Sequence, residues 1–248
     1  IGIGRDDLSS LMQKQSHYYN DTTRLYGSTL AATNALNTTA FSSDRSFVMM
    51  GHNKGQLNQT ASVATEIPTG ICNRIEREWK VVRTNSTLSF NIDILPAATI
   101  SPLFLNTTNL RLLVDTDDNF SNATAFTPAF TIAGGYIKVS GITTAMIPDN
   151  SIRYITLALV NDIAVNAGSN DTICTGQSFL IPASASGTGT LTYTWSPASY
   201  LNSTTIQQPT SVTPAVGTYN YAVSVSNGLC SKTDTMVLVV NPTPSMTS

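Results

Sequence analysis

The stretch Thr218-Tyr219-Asn220-Tyr221-Ala222-Val223-Ser224-Val225-Ser226-Asn227-Gly228-Leu229-Cys230 decides how this chain folds. Tyr219, Tyr221, Val223 and Val225 fall on every second position, which is the period of a strand buried on one face. Upstream, Leu191, Tyr193 and Trp195 alternate with threonines in the same way. Gly, Pro, Asn and Ser clusters punctuate the runs from Thr172 to Asn241 at short intervals, the habit of an all-β sandwich. Trp195 shares the apolar face of its strand and is expected in the core.

Working outward, the 248 residues suffice for two ordinary domains. Charged residues are 11% of the chain and apolar ones 41%, while Ser, Thr and Asn make up about a third. Periodic apolar positions at that level exclude a disordered chain. A net charge of −2 argues against a nucleic-acid partner, which needs a basic face for its phosphates. No apolar run approaches the ~20 residues that span a bilayer, so no membrane insertion is expected within this segment. Without an initiator Met or signal peptide, the chain is expected to be an internal piece of a longer protein.

Residues 1–160 read as strands with little helical signal outside Leu30–Leu36. Phe47–His52 reads as a buried strand ending in a turn that holds His52. Ile75, Trp79 and Val81 share one face, with Arg74, Glu76, Glu78 and Lys80 on the other. Arg77 is the odd inward member, and its planar fork suits a bidentate pair with Asp6 or Asp7. Thr87–Ile94 alternates without a fault, placing Leu88, Phe90, Ile92 and Ile94 inside and Asn91 and Asp93 outside. Leu110–Val114, Tyr136–Val139 and Arg153–Val160 complete a second sandwich. The expected organisation is therefore two tandem β-sandwich domains, 1–161 and 162–242, followed by a linker at 243–248.

The residues Thr172–Gly176, Leu191–Pro197, Thr218–Cys230 and Val239–Pro244 resemble the immunoglobulin-like, PKD-like modules of secreted Bacteroidota adhesins. Gly2–Asp7 with Gln13–Ser16, Arg77–Val81, and Leu112–Ser121 resemble an uncharacterised β-domain of flavobacterial surface proteins. The first resemblance implies a Cys174–Cys230 disulfide, which would be worth roughly 4 kcal/mol in the chain-entropy model. It leaves Cys72 as a buried small hydrophobe. The second implies export through the type IX secretion route, and carries no established chemistry.

Candidate sites are few. Asp115, Asp117 and Asn119 occupy alternate positions after an apolar strand, either as a partial calcium site or as a solvated turn. An EF-hand is excluded, since Phe120 stands where its Gly belongs and Phe126 where its Glu belongs. Thr22, Thr172 and Thr235 sit in Asp-Thr-Thr, Asp-Thr-Ile and Asp-Thr-Met, which resemble the Bacteroidota O-glycosylation signal. No nucleophile elbow, paired-His motif or phosphate loop appears, so no enzyme is expected. The expected function is a non-catalytic segment of a secreted, cell-surface adhesin or fibril-like protein, a stalk or spacer whose partners are surface glycans, proteins or further copies of itself. The alternatives are that residues 1–160 are themselves a carbohydrate- or protein-binding module, with Tyr18, Tyr19 and Tyr26 stacking on sugars, that the chain is an accessory region of a large secreted hydrolase, or that it is a self-assembling filament subunit.

Overall fold

The structure, a computed structural model, describes residues 1–17, 22–58 and 66–244. The chain divides into two compact units, Ile1–Val160 and Asn161–Ser248. Both are built from β-strands, and among the described residues there is no α-helix.

The first unit holds β1 (Gly2–Asp6), β2 (Leu11–Gln13), β3 (Gln15–His17), β4 (Thr23–Tyr26), β5 (Ser46–His52), β6 (Ile71–Arg74), β7 (Trp79–Thr84), β8 (Phe90–Ile94), β9 (Leu110–Asp115), β10 (Thr124–Phe126), β11 (Ala129–Ala133), β12 (Tyr136–Ile142) and β13 (Ser151–Val160). One sheet runs β10-β9-β13-β7-β5-β1-β2 with β6 also on β13, and the other runs β11-β12-β8-β4-β3. Every pairing in the two is antiparallel. The register aligns Ile3, Val48, Val81, Trp79, Ile155, Leu157 and Leu112 on one face of the first sheet. Leu25, Phe90, Ile92, Ile94, Ile137 and Val139 line the other sheet. All of these are buried, and together they form the apolar layer of a sandwich.

Alternation does not hold throughout. The run from Ile71 to Thr84 is broken into β6 and β7 because the amides of Glu76 and Arg77 turn away to Asn58 O and Gln56 O. The buried Thr156 hydroxyl fills the break, donating to Ile75 O at 3.3 Å and Arg77 O at 2.8 Å. Arg77 donates from Nε to Gly55 O at 2.5 Å, so the expected pin to Asp6 or Asp7 is corrected. Asp7 is taken instead by Arg5, through two bonds of 2.7 Å. The strand read as Thr87–Ile94 starts only at Phe90, with Leu88 half-buried. Leu30–Leu36 forms turns, not helix, and Leu36 is exposed. Asn91, expected outside, is buried: its Nδ2 donates to Gly27 O and Ser28 O at 2.7 Å, and its Oδ1 accepts from Gly141 N at 2.9 Å. Gly141 makes the bulge between Val139 and Ile142 at φ +77°, a conformation that favours glycine.

The second unit holds β14 (Ala164–Asn166), β15 (Asp171–Cys174), β16 (Phe179–Leu180), β17 (Ser184–Ser186), β18 (Thr192–Ser196), β19 (Thr210–Ser211), β20 (Gly217–Ser226) and β21 (Ser231–Asn241). Its main sheet is β15-β21-β20-β18, accompanied by the ladders β14-β17 and β16-β19. β15 lies parallel to β21, whereas the β20–β21 hairpin pairs without interruption from Gly217–Val240 to Ser226–Ser231. Asn227 closes that hairpin by accepting the amides of Leu229 and Cys230 on its Oδ1. Tyr221, Val223, Val225, Met236, Leu238 and Val240 are buried on one face.

Trp195 lies opposite Val223 and is 3% exposed, with its indole N–H donating to Ile206 O at 3.0 Å. Truncation would both empty that volume and strand the Ile206 carbonyl. We expect Trp195→Ala to destabilise the second unit by about 3–5 kcal/mol in urea denaturation followed by circular dichroism. A change of under about 1 kcal/mol would contradict this packing.

Candidate binding site

β5 ends at His52 beside the start of β7, and the turn after it is held by side chains. His52 Nδ1 accepts the Lys54 amide at 2.9 Å. Asn53 Oδ1 accepts the amides of Gly55 and Glu78, and Asn53 Nδ2 donates to Glu78 Oε2 at 3.0 Å. Beside this turn opens a cleft of about 310 Å³, lined among others by His52, Asn53, Glu78, Lys80, Asp118 and Tyr154. The Lys80 ammonium lies 5.7 Å from the centre of the Tyr154 ring.

Glu78 lines the cleft and is paired with the buried Arg74. Its Oε1 lies 2.9 Å from Arg74 Nη1, and Glu66 Oε2 holds Arg74 Nη2 at 2.7 Å. Arg74 is 1% exposed and its guanidinium sits 4.9 Å from the Phe120 ring centre. Burial pushes the Glu78 carboxyl above its ordinary range, and the attraction of Arg74 opposes that only in part. His52 is held below its ordinary value, first by burial and then by the positive charges of Arg77 and Lys54. Asn53 spends its amide on the turn, so the groups left to meet a ligand are the Asp118 carboxylate, the Lys80 ammonium and the Tyr154 hydroxyl. Glu78 is committed to Arg74 and Asn53, which makes it a structural group.

The Asp115–Asn119 loop contributes Asp118 to this cleft. Asp115 Oδ1 accepts from the amides of Thr116 and Asp117, Asp117 Oδ1 from the Asn119 amide, and Asn119 Oδ1 from the Ser121 amide. Each side chain expected to hold calcium therefore serves the loop's own backbone, the behaviour of successive Asx turns. Among the described residues, no three His, Cys, Asp or Glu side chains are grouped to hold a metal.

The expected Cys174–Cys230 disulfide is corrected. Cys174 is a free thiol, while Cys72 and Cys230 are disulfide-bonded, so Cys72 is not the spare apolar residue that the sequence suggested. Register supplies the reason. Cys174 lies opposite Asn241 at the far end of β21, and Cys230 precedes its first residue. At ~3.3 Å per residue the two are roughly 35 Å apart, far beyond the ~7 Å limit between Cα atoms.

Thr172 and Thr235 are exposed on the same outward side of the second unit's main sheet, whereas Thr22 is half-buried. Of the aromatics weighed as sugar platforms, Tyr18 and Tyr19 lie outside the described residues. Tyr26 is buried, and its hydroxyl donates to Asp93 Oδ1 at 2.6 Å. Burial and then that bond drive its acidity well below that of an ordinary phenol. Asp93, expected in solvent, is fully buried, with Lys138 Nζ at 3.5 Å and Arg24 Nη1 at 3.9 Å. Sequence reasoning missed this group because its partners come from β4 and β12, and only register brings them opposite Asp93.

Fold and site together define an all-β chain of two compact units whose first unit carries a surface cleft at the end of β5. Residues 1–151 match the model of a family described as a domain of unknown function, DUF8202, and the chain belongs to that family. No curated protein matches it. Among solved structures it is similar to Dpr2 Ig1-Ig2 in complex with DIP-Theta Ig1-Ig3, at 12% identity over 77% of this chain and 66% of that one, with a TM-score of 0.31. It is similar to the tandem Ig repeats of Dlar at 9% identity, covering 78% and 98%, with a TM-score of 0.28. Extracellular domains 3-5 of Drosophila OTK give 9% identity, 76% and 61% coverage, and a TM-score of 0.30. No property of these proteins is carried over to this chain.

The depressed His52 value makes a pH prediction. The unfolded chain takes up a proton near the ordinary 6.5, while the folded chain does so only at lower pH. The stability that neutral His52 contributes is therefore intact above 6.5 and lost as the pH falls below it, through the folded value. Urea midpoints should fall as the pH is lowered from neutral, and His52→Gln should lack that part of the slope. Identical slopes for the two proteins would contradict a His52 held neutral at the end of β5.

Proposed function

We propose that this chain is a non-catalytic segment of an exported, cell-surface adhesion-type protein, in which stiff β-units act as spacer and project binding surfaces from the cell. The observation that carries the reading is the oxidised state of Cys72 and Cys230, since disulfides persist in oxidising compartments and are rare in the cytosol. The surface chemistry supports it as well. With 11% charged residues and about a third Ser, Thr and Asn, the outer faces are hydroxyl and amide, and weak contacts repeated along such a chain gain by multivalency. Among the described residues no helix is long and apolar enough to cross a membrane.

The finer parts of the reading belong to the same proposal. The source is a Bacteroidota surface protein exported by the type IX route, and Thr22, Thr172 and Thr235 carry O-glycans in the native host. Exposed Thr172 and Thr235 suit that modification, because bulk on the outward face of a sheet hinders edge-to-edge association. Its partners are surface glycans or proteins, or further copies of itself, and the cleft beside His52 supports the reading by bringing Asp118, Lys80 and Tyr154 together.

Two measurements in the native host test the reading. Protease applied to intact cells should release peptides of this chain, and alkylation of the unreduced protein should mark Cys174 alone. Peptides released only after lysis, together with alkylation of Cys72 and Cys230, would contradict an exported protein.

A further inference from the structure

A smaller cavity, of about 150 Å³, opens between the two sheets of the first unit. Its walls include Thr23 from β4, Met50 and His52 from β5, and Trp79 from β7, with Ile1 and exposed Lys54 also lining it. Thr23 and Trp79 are each 1% exposed, yet among the described residues Thr23 Oγ1 and Trp79 Nε1 are buried without a hydrogen-bond partner. An orphaned buried donor of this kind costs about 1–3 kcal/mol, and the chain carries two of them on one cavity. The indole N–H can only donate, so what answers it must be an acceptor. His52 adds to the same polarity: its Nδ1 accepts from Lys54 N–H, which leaves the ring proton on Nε2.

Size and wall chemistry narrow the occupant. The cavity exceeds the ~30 Å³ share of one water and falls below the ~300 Å³ of sites for drug-sized ligands. It suits a group of a few heavy atoms. The side chain of Met50 and the Trp79 ring system supply apolar wall beside the donors. We propose that this cavity binds an acetyl group, its oxygen accepting from Trp79 Nε1–H and the Thr23 hydroxyl and its methyl resting on the Met50 side. Two sources share that chemistry: the N-acetyl arm of a glycan, and a free short carboxylate drawn by the Lys54 ammonium at the rim. The proposal goes beyond the spacer reading and does not rest on it.

The test uses the full chain and its two tryptophans, whose indole N–H signals are resolved by nitrogen-15 NMR and assigned with Trp195→Phe. Trp195 Nε1–H, bound to Ile206 O, is the internal reference. N-acetylglucosamine and sodium acetate are titrated separately. The expected result is a saturable shift of the Trp79 signal, with Kd on the order of millimolar for so few atoms, and a Trp195 signal that stays in place. Thr23→Val should weaken binding about tenfold without moving the Trp195 signal, and Thr23→Ser, which keeps the hydroxyl, should bind as the parent does. Saturation by N-acetylglucosamine alone assigns the glycan source, and saturation by acetate alone assigns the carboxylate. A Trp79 signal indifferent to both probes, moving together with Trp195, or shifting equally in Thr23→Val would overturn the proposal.

Discussion

The first unit depends on one strand being buried on both of its faces. β13 bonds to β9 along one side and to β7 and β6 along the other, so its ladder groups are satisfied only while three neighbours are in register. Ile155, Leu157 and Leu159 lie in the inter-sheet layer, while Thr156 and Ala158 are equally buried on the opposite face. That opposite face is closed by a second cluster of Ile71, Leu113, Phe120, Ala123 and Ala158. Two separate apolar contacts thus converge on the five residues from Ile155 to Leu159. The polar groups follow from this arrangement. Thr156 is tolerated because its hydroxyl serves the carbonyls freed where β6 and β7 part, and Arg74 because two carboxylates meet it beneath Phe120. Only the guanidinium is fully buried here, so loss of both carboxylates would leave an unpaired charge inside the unit. The pairing acts as a constraint on register more than as a source of binding energy.

Where one face was buried and the other wet, the sequence was legible. Tyr219 to Val225, Trp195, and the inward residues of β8 read correctly because a period of two needs no knowledge of the neighbours. The readings failed where a second contact covered the outward face. Asp93 and Asn91 look solvated in an alternating strand, but Tyr26, Arg24, Lys138 and the Gly141 bulge come from distant segments. Arg77 looks poised for a carboxylate, and a local backbone carbonyl reaches it first. The cysteines failed for a reason of distance: strand boundaries alone do not reveal that a parallel edge strand puts Cys174 at the opposite end of β21 from Cys230. The cavity beside Trp79 was invisible for a similar reason. Thr23 and Trp79 are far apart in the chain, and nothing in either local sequence marks an unanswered donor.

These features bear on function through rigidity. A sandwich with few charges and side-chain bonds tying its turns, such as those of Asn53, Asn91 and Asn227, loses little on binding because the groups that meet a ligand are already ordered. The same ordering suits the spacer role proposed above. The cleft beside His52 and the cavity beside Trp79 share Gly51 and His52 in their walls, so both open at the end of β5.

Native-state hydrogen exchange of the full chain tests the central claim, that β13 is the strand on which the first unit is built. The amides of Ile155 to Leu159 should exchange only through global unfolding of the unit, while those of the short strands β2 and β3 at the sheet edges should open at much lower free energy. Exchange of the β13 amides as fast as those of β2 and β3, at the same denaturant concentration, would contradict it.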